Sequence, residues 1–156
     1  MSDPRAALTT VVDPEIRVLT IEELGILRDV RTGPDGHVTV TITPTYTGCP
    51  AMDVIRADIR AALAGAGHPD AEVITELSPA WSTDLISDSG RAKLAAAGIA
   101  PPHARRAGAV PLTLTVRCPR CGSPDTEELS RFGSTACKSL RRCRACAEPF
   151  DAIKAF

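Results

Sequence analysis

Cys118-Pro-Arg-Cys121-Gly122 and Cys143-Arg-Ala-Cys146 are two Cys-x-x-Cys turns separated by 21 residues. Each places two thiolates about one tight turn apart, and two such turns facing each other complete a tetrahedral S4 shell, the closed set expected of structural zinc. With all four sulfurs committed, the metal keeps no open position for water or substrate. The site therefore holds a fold together and hydrolyses nothing. The spacing predicts a C-terminal β zinc ribbon, its first strand expected in the alternating Leu112-Thr-Leu-Thr-Val116.

Upstream of the ribbon, Pro101 to Pro111 holds three prolines, a basic pair and small residues, and reads as a linker. The expected division is an α/β (α+β) domain over 1–100, a linker over 101–111 and a four-cysteine zinc ribbon over 112–156. At 156 residues and 44% hydrophobic content the chain is not disordered, but only 3% is aromatic. A core built from Val, Ile, Leu and Ala is thin, which makes a metal staple useful. Residues 1–100 carry 8 Lys/Arg against 14 Asp/Glu, and 101–156 carry 10 against 5, so an acidic front precedes a basic tail. Met1-Ser-Asp-Pro-Arg5 lacks the apolar region of a signal peptide, so a reducing cytoplasm is expected. No run of 18 apolar residues occurs, and no membrane span is expected.

Within the first domain, Pro4 to Thr10 is a short helix ending before Asp13-Pro14-Glu15. Thr20-Ile-Glu-Glu23 has the form of a capping box. Val30, then Val38, Val40 and Ile42 alternate with threonines around the turn Gly33-Pro-Asp-Gly36, a β-hairpin with one buried face. Pro50 opens a helix whose Met52, Ile55, Ile59, Ala62 and Leu63 recur at helical spacing until Gly65 and Gly67. Glu72 to Leu77 is a third strand, and Asp84 to Ala97 a helix that Gly90 could divide. The prediction is a three-stranded sheet packed by helices.

Gly48-Cys49-Pro50 places the Cys49 sulfur at the N-cap of the Met52 helix, where free N–H groups and the dipole lower a thiol pKa. Such a cysteine binds metal or attacks; the alternative is a small buried cap. Asp13 and Glu15 flank Pro14 and either cap the next turn or approach Cys49. Trp81 reads as a loop anchor or partner contact, and Asp84 as a helix N-cap. His37, His68 and His103 default to the surface. No catalytic constellation, phosphate loop or His-Glu-x-x-His is present, so no activity of the chain alone is expected. Cys137 is left over between the knuckles. The run Lys138, Arg141, Arg142, Arg144 reads as a solvated face, an acidic-protein dock or a nucleic-acid patch; the acidic front and scarce aromatics argue against nucleic acid.

The succession Asp13-Pro-Glu15, Glu23-Leu-Gly-Ile-Leu27, valine–threonine hairpin and Thr45-Tyr-Thr-Gly-Cys-Pro50 resembles the small domain of iron–sulfur assembly factors of the SufT and cytosolic targeting type. Ser78-Pro-Ala-Trp-Ser-Thr-Asp84, Gly90-Arg-Ala-Lys-Leu94, Gly98-Ile-Ala-Pro-Pro102, Phe132-Gly-Ser-Thr-Ala-Cys-Lys138 and the two cysteine turns extend the resemblance, over nearly the whole chain, to the PaaD family of the phenylacetyl-CoA epoxidase system. That resemblance implies an accessory, non-catalytic role in aerobic phenylacetate breakdown, where a di-iron oxygenase epoxidises the ring and a flavin and 2Fe–2S reductase supplies electrons. The chain would help mature their iron or iron–sulfur centres, with the oxygenase or reductase components as partners. Cys49 would be the transient iron or cluster contact, with Asp13 and Glu15 near it, and Cys118, Cys121, Cys143 and Cys146 would hold structural Zn2+. One cysteine cannot hold a cluster, so a homodimer, Cys137 or a partner's ligand would complete it. Two competing expectations are a structural zinc-ribbon adaptor and a rubredoxin-like electron carrier, since Cys-Pro-x-Cys-Gly also suits iron. Direct participation in epoxidation would need Glu-x-x-His spacing, which the chain lacks.

Overall fold

The alternating valines pair as their period demands: in the computed structural model, which describes residues 2–102 and 115–154, β1 (Leu27–Thr32) runs antiparallel to β2 (Val38–Ile42) with Val30 opposite Val40. Gly36, at φ 81°, closes the turn between them in a left-handed conformation that glycine adopts without a Cβ penalty. α2 (Ala51–Gly65) then crosses over and delivers β3 (Glu72–Thr75) parallel to β2, giving the sheet order β1-β2-β3. Met52, Ile55, Ile59 and Leu63 are the buried stripe of α2, while Ala62 is only half-buried. With Leu8, Leu19, Ile21, Leu24, Ile26, Val38, Val40 and Ile42 they form an aliphatic core. Each such fully buried side chain contributes about 1.5–3 kcal/mol of transfer free energy.

The N-terminal helix is shorter than its sequence suggests: α1 (Pro4–Ala7), capped by Asp3, tightens into a 3₁₀ turn over Leu8–Thr10. The Thr20 capping box forms in both directions, Glu23 N–H to Thr20 Oγ1 at 3.1 Å and Thr20 N–H to Glu23 Oε2 at 3.1 Å, but it closes a turn and not a helix. Trp81 is the expected anchor, 6% exposed, with Nε1 donating to the Leu24 carbonyl at 2.9 Å. Trp81→Phe keeps most of the ring but orphans that buried carbonyl. It is expected to cost about 1–2 kcal/mol, measured by urea unfolding.

The chain divides into two compact units, Met1–Ser87 and Asp88–Phe156. In the second, α3 (Asp88–Ala96) leads to β4 (Ile99–Ala100), which joins a four-stranded sheet with β5 (Thr126–Ser130), β6 (Lys138–Cys143) and β7 (Pro149–Ile153) in the order β4-β7-β6-β5. The division therefore falls at Asp88, ahead of the expected boundary at residue 100. Its cause is that Ile99 and Ala100 pair in parallel with Asp151 and Ala152 and so complete the ribbon sheet, a long-range pairing with no local signature. Asp84 lies inside a 3₁₀ turn (Thr83–Leu85) and is not the cap of α3, and Gly90 is buried within α3 without breaking it. Most of the expected linker, residues 103–111, lies outside the described residues, as do 112–114 of the expected first ribbon strand. Thr115 and Val116 are not in a strand.

Candidate metal sites

The first knuckle precedes β5, and the second is the turn that joins β6 to β7, with Cys143 closing β6 opposite Thr126. Cys118 N–H donates to Ser123 O at 3.0 Å, and Cys143 N–H to Glu148 O at 2.9 Å, so both turns are folded by the same backbone device. The residue after each second cysteine is left-handed: Gly122 at φ 72° and Ala147 at φ 62°. Alanine pays a Cβ penalty there. Ala147→Gly is expected to stabilise the knuckle by about 1 kcal/mol, read as slower metal loss to a chelator.

These turns bring the four ligand sulfurs within 4.8 Å of one another. Cys118 Sγ lies 3.8 Å from Cys146 Sγ, and Cys121 Sγ 3.6 Å from Cys143 Sγ. A tetrahedral ion with bonds of about 2.3 Å to sulfur has edges of about 3.8 Å, so the donor set fits a single S4 ion. Cys118 and Cys143 are buried in a small core with Ala100, Phe150 and Ala152, whereas Cys121 and Cys146 are exposed. The electrostatics make the same case. The Cys146 N–H, 3.5 Å from Cys143 Sγ, helps bring the Cys143 thiol down to about 7. Cys146 accepts from the Glu148 N–H, yet local desolvation of its sulfur and the neighbouring thiols push it up to about 12. Four crowded thiols cannot ionise together unless a cation joins them.

The basic run is not one solvated face. Arg141 pairs with Glu128 at 3.5 Å, Arg142 with Glu127 at 3.1 Å, and Arg144 with Glu127 at 3.0 Å and Asp125 at 3.7 Å. Arg144 beside it holds the Glu127 carboxyl below the usual carboxylate range. Lys138 is instead buried, its Nζ donating to Ser134 Oγ at 3.1 Å. Cys137 is buried too, with Thr135 Oγ1 at 3.1 Å from its sulfur, and stands outside the four-sulfur cluster.

Cys49 lies one residue before the N-cap of α2, which is Pro50, so the expected capping position is off by one. Its half-buried sulfur still interacts with the Ala51 N–H and the Tyr46 hydroxyl. Nevertheless burial raises the thiol above its ordinary value, and the carboxylates of Glu15 and Asp13 add to the rise. The expected lowering of the thiol is thus reversed, because desolvation and two nearby carboxylates outweigh the helix-end donors. Asp13, 4% exposed, serves both expected purposes: Oδ1 accepts from Glu15 N–H at 2.8 Å and Ile16 N–H at 2.7 Å, while its charge reaches Cys49. Asp13, Glu15 and Cys49 do not converge tightly enough to share an ion; among the described residues only the four ribbon cysteines do. Sequence reasoning missed Tyr46, whose only signal was its place three residues before the cysteine. Since the thiolate is the nucleophile, Glu15→Gln should lower the Cys49 pKa and speed its alkylation at about pH 7.5, compared with wild type by mass spectrometry.

Of the histidines, His37 is exposed as expected, but His68 is 8% exposed and its Nε2 donates to the Ser2 carbonyl at 2.9 Å. Its buried place is set by packing at the end of α2, which sequence period does not reveal. No helix among the described residues is long and apolar enough to cross a membrane.

Residues 3–74 match the iron–sulfur cluster assembly protein family, and residues 103–154 match the PaaD zinc beta ribbon domain. An Escherichia coli (strain K12) protein, provisionally named as one of the subunits of 1,2-phenylacetyl-CoA epoxidase, is 46% identical over 96% of this chain and 89% of its own length. An Fe-S protein maturation auxiliary factor of Porphyromonas gingivalis is 38% identical over 56% of this chain and 83% of its own. A domain of unknown function from Bacillus anthracis, solved by crystallography, superposes with a TM-score of 0.54 at 30% identity, over 58% of this chain and 87% of its own. With its assembly-type first unit, its four-cysteine ribbon and a relative matched almost end to end, the chain belongs to the PaaD family.

Proposed function

We propose that the chain is an accessory, non-catalytic subunit of the phenylacetyl-CoA 1,2-epoxidase system that assists maturation of the iron or iron–sulfur centres of the oxygenase or its reductase. The observation that carries this reading is the grouping of Cys49, Tyr46, Asp13 and Glu15 at the start of α2, within the region that matches the iron–sulfur assembly family. A half-buried thiol that keeps its proton at neutral pH is a poor nucleophile but a usable metal contact, because an incoming cation displaces the proton. The Tyr46 hydroxyl and the Ala51 N–H would then steady the bound sulfur, and the negative charge of Asp13 and Glu15 would favour an approaching cation. One sulfur per chain suits transient holding. A second copy or the client supplies the remaining ligands.

In the same reading Cys118, Cys121, Cys143 and Cys146 hold Zn2+, which when bound supplies the charge that four thiolates require and closes the ribbon. The second knuckle, Cys143-Arg-Ala-Cys-Ala147, departs from the rubredoxin pattern and favours zinc over iron. A structural adaptor is the second reading, supported by the lack of a convergent set of ligands around Cys49 among the described residues.

Metal and acid-labile sulfide analysis of anaerobically purified wild type and Cys49→Ser separates the two. About one zinc per chain plus iron and sulfide that vanish with Cys49 supports maturation. Zinc alone in both proteins, even after anaerobic reconstitution, leaves the adaptor; a red protein with iron in the ribbon points to the electron carrier.

A further inference from the structure

We infer that the β5–β6 connection presents Phe132 as the docking tip for a protein component of the epoxidase that offers an apolar pocket rimmed by carboxylates. The inference rests on the accessory-subunit reading and adds to it where the partner is gripped. Phe132 is 69% exposed, more than any other large hydrophobic side chain among the described residues, in a chain with few aromatics. Leu129, three residues earlier on edge strand β5, is 50% exposed. An exposed aromatic and an exposed leucine three residues apart in the chain supply the side-chain types of an interface centre.

The loop that carries Phe132 is held in shape. Phe132 N–H donates to Ser130 Oγ at 3.1 Å, and Gly133 N–H to Lys138 O at 2.8 Å. Ser134 Oγ donates to Asp151 Oδ2 at 2.7 Å, and Lys154 Nζ to Ala136 O at 2.8 Å, so β7 and the residue after it clamp the loop from outside. A Cβ on Gly133 would stand 2.4 Å from Asp151 Oδ1, so closely is β7 applied. The Lys154 ammonium also sits 4.4 Å from the Phe132 ring centroid. An aromatic fixed this way loses little freedom on binding, which is what makes an anchor effective.

Charge selects the partner's rim. Strand β6 is neutralised by the carboxylates of Glu127 and Glu128 opposite it. Arg131 and Lys154 flank Phe132 without a carboxylate partner among the described residues, while Asp151, bonded to Ser134, puts one carboxylate on the same loop, so the surroundings of Phe132 are net cationic. The ribbon is also the part of the chain beyond the assembly-family match, so a system-specific grip belongs there and not on the shared first unit.

Purified oxygenase and reductase components of the same epoxidase system would be tested separately for binding to the full-length chain by biolayer interferometry, at low and high salt. Wild type is expected to bind one component, and Phe132→Ser to bind it at least about 30-fold more weakly. Arg131→Glu should slow association and remove much of its salt dependence. Unchanged zinc content and amide spectra of Phe132→Ser would show that the ribbon remains folded. Equal affinity of Phe132→Ser and wild type overturns the proposal. So does failure of wild type to bind either component, and so does a Phe132-dependent homodimer with no component bound, which assigns the face to a second copy. Absence of iron at Cys49 would sink the maturation reading and leave these affinities untouched.

Discussion

Cys143→Ser is expected to lose the ribbon's metal and, with it, the fold of the sheet that contains β5, β6 and β7, while Met1–Ser87 keeps its own. Cys143 is fully buried, ends β6, pairs with Thr126 and shares a core of only a few side chains with Cys118, Ala100, Phe150 and Ala152. Structural zinc contributes roughly 10–16 kcal/mol in zinc-finger peptides, far more than such a core supplies. Serine offers no thiolate and leaves a hydroxyl in an apolar place. Zinc stoichiometry together with amide hydrogen exchange is the measurement: protection should vanish over residues 126–153 and persist in α2. A metal-free variant with protected ribbon amides would show that the sheet stands without the ion. Cys137→Ser is the control. Its sulfur is outside the cluster and within reach of Thr135 Oγ1, so full metal content is expected.

Gly25→Ala is expected to destabilise the first unit by about 2–5 kcal/mol, combining left-handed strain with overpacking. Gly25 has φ 80°, and an added Cβ would lie 2.6 Å from Leu85 Cβ and 2.7 Å from the Leu85 carbonyl oxygen. A backbone atom cannot rotate away, so the segment carrying Trp81 and Leu85 must shift from Leu24. The Trp81 Nε1 bond to Leu24 O and the Ser87 N–H bond to Glu23 O would be strained together. Urea unfolding and tryptophan fluorescence report both effects, because Trp81 is the sole tryptophan. Gly36→Ala is the comparison: it has a similar φ of 81° but open space around it, and should cost only the conformational part, about 1–2 kcal/mol. Equal losses at the two sites would remove the contact with Leu85 from the explanation.

Patterns carried by neighbouring residues were legible before any coordinates. The valine–threonine alternation, the stripe of α2 and the Cys-x-x-Cys turns each rest on a period or spacing that local geometry enforces, and each appears where the sequence places it. The elements that escaped are those set by distant partners. β4 is two residues long, too short for a periodic signal, and exists because β7 offers it a free edge. The basic run looked like one surface because sequence shows charges and not their partners; β5 lies opposite β6 and supplies the carboxylates.

The same distinction holds at Cys49. A cysteine beside a helix start can be read in sequence, and so can the presence of Asp13 and Glu15. Whether that sulfur is a thiolate depends on how deeply it is buried and how close the carboxylates come, terms that vary with three-dimensional distance and solvent access. From sequence alone, then, came the fold class, the four-cysteine grouping and the identity of the candidate residues, because these follow from local periodicity and the valence of thiols. Tertiary structure alone decided where the two units divide, which charges cancel, that Phe132 stands exposed on a clamped loop and that the Cys49 thiol is raised and not lowered, because burial and Coulomb interactions are sums over neighbours brought together only by folding.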